Sequence, residues 1–215
     1  IVAKFEARDL LEFMRSTYMK GIYSPTGISL YSLAESVLQE ANLPLNPDGT
    51  VRWVIDPSLQ NIYTNAPLPL TSLAECLQMI ANAAGCVLYS DRKGILHIEP
   101  ASMQVSDYVI NNFNSFKKAE ISLTKPLLQV DVKTYNYFVS EMDKELYNGT
   151  IPINGTQSLY ITYSNPAIDV GAIITNGTLV SATYYTNACL LVISGTGNVG
   201  IKIIGDILNK SETIV

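Results

Sequence analysis

Apolar residues recur at helical spacing three times in the first hundred positions, then give way to short apolar runs bounded by turn signals. Leu10, Phe13, Met14 and Tyr18 predict a helix over 9–19, with Gly21 placed to end it. Leu33, Val37, Leu38 and Ala41 predict a second helix opening at Ser32, whose hydroxyl can cap it while Glu35 reaches back. Pro44, Pro47 and Asp48-Gly49 break that helix, and 51–55 reads as a short strand. Leu73, Leu77, Ile80, Ala81 and Ala84 predict a third helix, with Ser72 and Glu75 as its capping box and Gly85 as its left-handed stop. Residues 86–89 and 95–99 then read as a hairpin closing over Ser90-Asp91-Arg92-Lys93-Gly94.

Ser72-Leu73-Ala74-Glu75 repeats Ser32-Leu33-Ala34-Glu35, and Ala81-Asn82 repeats Ala41-Asn42 at the same offset. The shared letters predict a duplicated helix-strand unit, about 27–56 and 68–100. A common capping grammar accounts for the same letters without duplication.

After a polar helix or linker over about 102–121, carrying Asn111, Asn112 and Asn114, the pattern changes to β-branched and aromatic residues over 127–139. Between Leu146 and Ile201 the only charged residue is Asp169. Asn148-Gly149, Asn154-Gly155, Asn165-Pro166, Asn176-Gly177 and the glycines from Gly195 to Gly200 punctuate this stretch as turns, which predicts short antiparallel strands. The expected fold is therefore α+β. An N-terminal domain, 1–121, carries helix and small-sheet repeats, and a second domain, 122–215, is an antiparallel β-sandwich or barrel.

Composition sharpens this picture. The chain is 47% hydrophobic and only 15% charged, which favours a surface partly covered by neighbouring subunits. A net charge of −5 argues against a nucleic-acid backbone binder. No apolar run approaches the roughly 18 residues of a spanning helix, so no membrane insertion is expected. The chain opens on Ile1-Val2-Ala3, without a leader pattern or initiator methionine, and is expected to be a fragment of a longer polypeptide.

Catalytic chemistry finds little support. His97 is the only histidine, which removes most metal sites. Pairing Tyr89 with Ile95 would set Cys86 and His97 on opposite faces of the hairpin and leave His97 as a half-exposed strand residue. Cys76, Cys86 and Cys189 sit in apolar contexts and read as small buried hydrophobes. Asp91 supplies turn chemistry at the hairpin tip, with Arg92 in solvent. Glu141, Asp143 and Glu145 read as a solvated edge flanking a turn, and Gly195-Thr196-Gly197-Asn198-Val199-Gly200 as a β-turn lacking the context of a dinucleotide loop. The sequons at Asn148, Asn154, Asn176 and Asn209 read as turns in the Asn-Gly-Thr cases. The 13 tyrosines are spread along the chain, which offers a glycan-binding platform no obvious centre. No catalytic, cofactor-binding or metal-binding residue is assigned, and no cofactor is expected.

One resemblance covers nearly the whole chain. Leu73-x-x-x-Leu77-Gln78-x-Ile80-Ala81-x-Ala83-Ala84-Gly85-Cys86 and Tyr89-x-Asp91-Arg92-x-Gly94-x-Leu96-x-Ile98 resemble a module of tailed-bacteriophage and prophage virion structural proteins of the tail tip, baseplate or hub. Residues 5–11, Asp56-Pro57-Ser58-Leu59, the strand 130–137, Ser164-Asn165-Pro166-Ala167 and 201–205 look like the same group. The resemblance implies a non-enzymatic assembly component. Its partners would be other tail or baseplate proteins and copies of itself, in a virion tail assembled in the bacterial host cytoplasm. A second resemblance, to the short repeated domains of secretins and outer-membrane transporters, implies an envelope-associated binding module. It predicts two independent βαββα-like units and leaves the C-terminal part without an account. A glycan-binding β protein or an enzyme is the third class. A β-domain docked on the helical repeats is what the tail reading predicts.

Overall fold

The computed structural model of the chain describes residues 10–101 and 133–214. The polar segment 102–121, the start of the expected 127–139 strand and the boundary near 122 lie outside the described residues. The chain is α+β, with one mixed sheet of three strands and antiparallel pairing in the other sheets. In order it forms β1 (Ile28–Ser29), α1 (Leu30–Ala41), β2 (Trp53–Ile55), β3 (Tyr63–Thr64), α2 (Leu73–Ala83), β4 (Cys86–Ser90) and β5 (Leu96–Pro100). The second region holds β6 (Lys133–Thr162), β7 (Ala167–Thr175), β8 (Thr178–Tyr184) and β9 (Ala188–Ile214).

The caps decide where the two helices begin. At α2 the expected capping box is present: Ser72 Oγ accepts from the Glu75 amide and the Glu75 carboxylate accepts from the Ser72 amide, both at 3.2 Å. At α1 the cap is Ser29, not Ser32. Ser29 Oγ accepts from the Ser32 amide at 3.1 Å, so Ser32 lies inside the first turn. The matching letters therefore misalign the units.

The true spatial repeat runs at an offset of 43 residues, from Ser29 to Ser72. At that offset the buried stripe Leu30, Leu33, Ala34, Val37 and Leu38 maps onto Leu73, Cys76, Leu77, Ile80 and Ala81 without exception. The left-handed residue after each helix is Asn42 in one unit and Gly85 in the other. Asp48 Oδ1 accepts from the amide of Thr50 as Asp91 Oδ1 does from that of Lys93. β2 pairs parallel with β5 in the same register, Trp53 opposite Leu96 and Ile55 opposite Ile98. Each strand leads into Ile-acid-Pro, at 55–57 and 98–100.

The two units share one sheet, ordered β2-β5-β4, and one core. That core joins Leu33 and Val37 of α1 to Leu77 and Ile80 of α2, with Ile55, Leu96 and Ile98 below them. Each such fully buried aliphatic contributes roughly 1.5–3 kcal/mol.

The expected helix over 9–19 is reduced to a five-residue 3-10 turn, Leu10–Met14. Backbone pairing overrides its periodicity: Thr17 bridges Ser72, the Tyr18 amide donates to Thr71 O at 2.8 Å, and the Leu73 amide donates to Ser16 O at 3.0 Å. Tyr18 is fully buried, its hydroxyl 3.0 Å from Ser36 Oγ. The helical spacing of Leu10, Met14 and Tyr18 marks one buried face of an irregular segment.

The C-terminal region departs furthest from expectation. In place of many short strands, β6 has 30 residues and β9 has 27, paired antiparallel from Lys133–Ile214 to Thr162–Ala188. Asn148-Gly149, Asn154-Gly155 and Gly195–Gly200 are paired strand residues, not turns. Asn165-Pro166 does lie in the loop that turns the chain from β6 into β7. Asn176-Gly177 separates β7 from β8 without reversing direction, because both run antiparallel to β9 along one edge.

The glycines serve close approach here. Val199 is fully buried, and Cβ atoms built on Gly177 or Gly195 would lie 2.9 or 3.0 Å from its methyls. Asn176 and Gly177 also stand opposite the whole of Gly195–Val199, so β9 takes a longer path at this point and bends. Alternate residues of β9, Cys189, Leu191 and Ile193 and then Val199, Ile201 and Ile203, enter one core with Ile153, Ile161 and Tyr163.

Candidate functional site

At their closest approach the two regions meet through one backbone bond and one buried side-chain amide. Across the seam the Thr186 amide donates to Lys20 O at 3.0 Å, while bonds from the Leu68 amide to Gly21 O at 2.9 Å and from the Ala167 amide to Thr186 O at 2.8 Å brace its N-terminal and C-terminal sides. Asn187, only 4% exposed, donates from Nδ2 to Leu68 O at 2.7 Å, while its main-chain carbonyl accepts from the Tyr163 amide at 3.0 Å. Gly21 makes this approach feasible. Its φ is +71°, and a Cβ there would lie 2.3 Å from Asn187 Nδ2. A second contact joins Tyr23 Oη to Tyr137 O at 3.4 Å, beside hydrogen bonds from Asn65 Nδ2 to Asn136 Oδ1 and to Tyr137 O.

Cavities flank this seam. One, of about 320 Å³, is lined by Lys20, Tyr23, Asp169, Tyr184, Tyr185 and Thr186 among others. Lys20 Nζ sits 2.7 Å from Glu40 Oε2 and 6.0 Å from the centre of the Tyr185 ring. The hydrogen bond to Glu40 pushes the Lys20 ammonium pKa up. On the other side, cavities of about 590 and 650 Å³ share Leu30, Thr64, Ala66, Ala83 and Tyr135 and form a mainly apolar groove. Lys210 Nζ lies 4.2 Å over the Tyr135 ring at its rim.

The hairpin cluster singled out in the sequence is elsewhere, on the outer face of the three-stranded sheet. Tyr89 pairs with His97, not with Ile95, and Cys86 pairs with Pro100. This shift by two keeps the parity, so Cys86 lies in the core while His97 faces outward, its side chain 18% exposed. The Tyr89 and His97 rings stack with centroids 5.0 Å apart and planes 10° apart. His97 Nε2 lies 3.4 Å from Asp91 Oδ2, and Nδ1 lies 3.7 Å from Glu99 Oε2. The Tyr89 hydroxyl donates to Glu99. Because the two carboxylates take opposite ring nitrogens, they cannot converge on one ion. Among the described residues no group of His, Cys, Asp and Glu is arranged to hold a metal.

Asp91 accepts from the amides of Ile95 and Lys93, and these bonds hold its carboxyl below the ordinary value of 3.8. Arg92 is exposed at the tip. Cys76, Cys86 and Cys189 are buried free thiols, and burial pushes Cys76 up to about 11. Glu141 and Glu145 pair with Lys144 at 3.1 Å and Lys202 at 3.0 Å along β6. They flank strand bulges, not the expected turn. Asn148, Asn154 and Asn209 are strand residues, and only Asn176 lies in a break between strands.

The residues of the seam, Lys20, Gly21, Asn187 and the adjacent tyrosines, carried no motif in the sequence. The one available signal was Asp169, the lone charge in a long neutral stretch. Comparison with known protein families, curated proteins and solved structures finds no match to this chain.

Proposed function

We propose that this chain is a non-enzymatic assembly module of a phage or prophage tail, in the tip, baseplate or hub region, acting through protein–protein contacts in the virion. The observation that carries the reading is the surface of the C-terminal sheet. Tyr160, Ile173 and Val180 are 54%, 50% and 58% exposed, in a stretch whose only charge is Asp169. Long strands with open edges and little charge are suited to burial against neighbouring subunits. Docking of this sheet on the helical repeats, through Lys20, Leu68 and Asn187, also favours the tail reading. The single core on both sides of the β9 bend supports a sandwich-like closure of the sheet.

The envelope-module reading draws on one observation, the helix–turn–strand unit repeated from Ser29 to Ser72. It predicts independent units, whereas these share a sheet and a core. Peptide mass spectrometry of purified tails from an induced host encoding the chain tests the proposal. Recovery of its peptides in the tail fraction is expected, and their absence from intact particles would sink it.

A further inference from the structure

We propose that the cavity formed by Lys20, Tyr23, Asp169, Tyr184, Tyr185 and Thr186 binds a neutral saccharide. Three of the 13 tyrosines converge here, although the sequence scatters them. Aromatic faces with polar rims match sugar rings, which present apolar C–H faces edged by hydroxyls. The volume, about 320 Å³, lies at the lower end of ligand cavities and suits one or two sugar units.

Asp169 is the group that points to a ligand. It has φ +50°, in the left-handed region, and lies in the bulge where the β7–β9 register shifts between Ile168 and Gly171. The bulge takes Asp169 out of the ladder beside the cavity, where its carboxylate is exposed. Among the described residues it has no hydrogen-bond or ion-pair partner. An ionised carboxylate accepts strongly from vicinal hydroxyls.

The opposite wall is preorganised. Glu40 holds the Lys20 ammonium at 2.7 Å, and the Thr186 amide bonds Lys20 O at 3.0 Å. Tyr184 is fixed by accepting at its hydroxyl from the Ala172 amide at 3.2 Å. Glu40 balances the Lys20 charge, so Asp169 is the one unbalanced charge lining the cavity, and it disfavours an anionic ligand. A polyhydroxyl ligand that donates to this carboxylate and lays its C–H faces on the tyrosines is the one that fits. Weak single-site affinity would be multiplied in a multimer.

Saturation-transfer NMR on the full chain tests the site, with maltose, cellobiose, lactose and chitobiose as neutral probes and sialyllactose and tetramethylammonium as charged ones. At least one neutral disaccharide should bind, and Asp169→Asn should weaken it by about tenfold with unchanged melting temperature. Asparagine tolerates the left-handed backbone, so this variant changes the charge and keeps the bulge. Tyr185→Leu should abolish the signal. The proposal is overturned if no neutral probe binds, if only a charged probe binds, or if Asp169→Asn binds as the parent does.

Discussion

Replacing Gly21 with alanine tests the seam between the two regions, because one added carbon strikes the amide that closes it. The new Cβ would lie 2.3 Å from Asn187 Nδ2, so Asn187 must leave Leu68 O, which it holds at 2.7 Å. Alanine at φ +71° adds left-handed strain of about 1–2 kcal/mol. Loss of a buried hydrogen bond with its acceptor left unpaired adds roughly 1–3 kcal/mol. Gly21→Ala should therefore destabilise by about 2–5 kcal/mol. Asn187→Ala removes the same hydrogen bond without the strain and should cost about 1–3 kcal/mol. In the double variant the alanine at 187 vacates the space, and the lost bond is counted once. A double-mutant cycle by urea denaturation should then show coupling of about 1–3 kcal/mol, with the double variant no worse than Gly21→Ala alone. Any gain from a stiffer unfolded chain at position 21 cancels in the cycle. Additive effects, within about 0.5 kcal/mol, would refute the contact.

The helix starts make a second prediction: Ser29→Ala should cost about 1 kcal/mol in thermal or urea unfolding, and Ser32→Ala less than about 0.5 kcal/mol. The reverse order would restore Ser32 as the cap. The Asp91 loop makes a third. Its folded pKa is depressed, so the contribution of the Ile95 and Lys93 bonds is complete above the ordinary value of 3.8 and is lost as pH falls through the lower folded value. Amide shifts of Ile95 and Lys93 should move together as pH falls through that region. Asp91→Asn should abolish the step, and its persistence in that variant would contradict the assignment.

What could be read from the sequence was local and short-range. The α2 capping box, the Gly85 stop, the hairpin around Asp91 and Gly94, and the burial of the cysteines all follow from residues within a few positions of one another. The repeat was visible at the wrong offset. Letter identity tracked Ser32 and Ser72, whereas burial and backbone conformation track Ser29 and Ser72, where leucine and cysteine or asparagine and glycine do equivalent work. Glycines in the C-terminal half were read as turns, since turn chemistry and close packing use the same residue. Only the folded path of β9 shows that Gly195 makes room for Val199, four residues further along the same strand. The first helix failed because Thr17 pairs with Ser72, a partner that periodicity cannot see. The seam failed for the same reason, as Gly21 and Asn187 acquire meaning only from each other.

The central claim is that this chain works by assembling, with the nearly uncharged 146–201 part of its C-terminal sheet as the contact surface. Native mass spectrometry of the full chain, set beside Ile173→Lys and Val180→Lys variants, tests it most directly. Both side chains are at least half exposed, so a lysine at either position should leave the fold intact while placing charge on the contact surface. The parent is predicted to form a multimer at about 100 μM or below, and the lysine variants to shift it toward monomer. A parent that stays monomeric at that concentration, or a multimer indifferent to both lysines, would contradict the account.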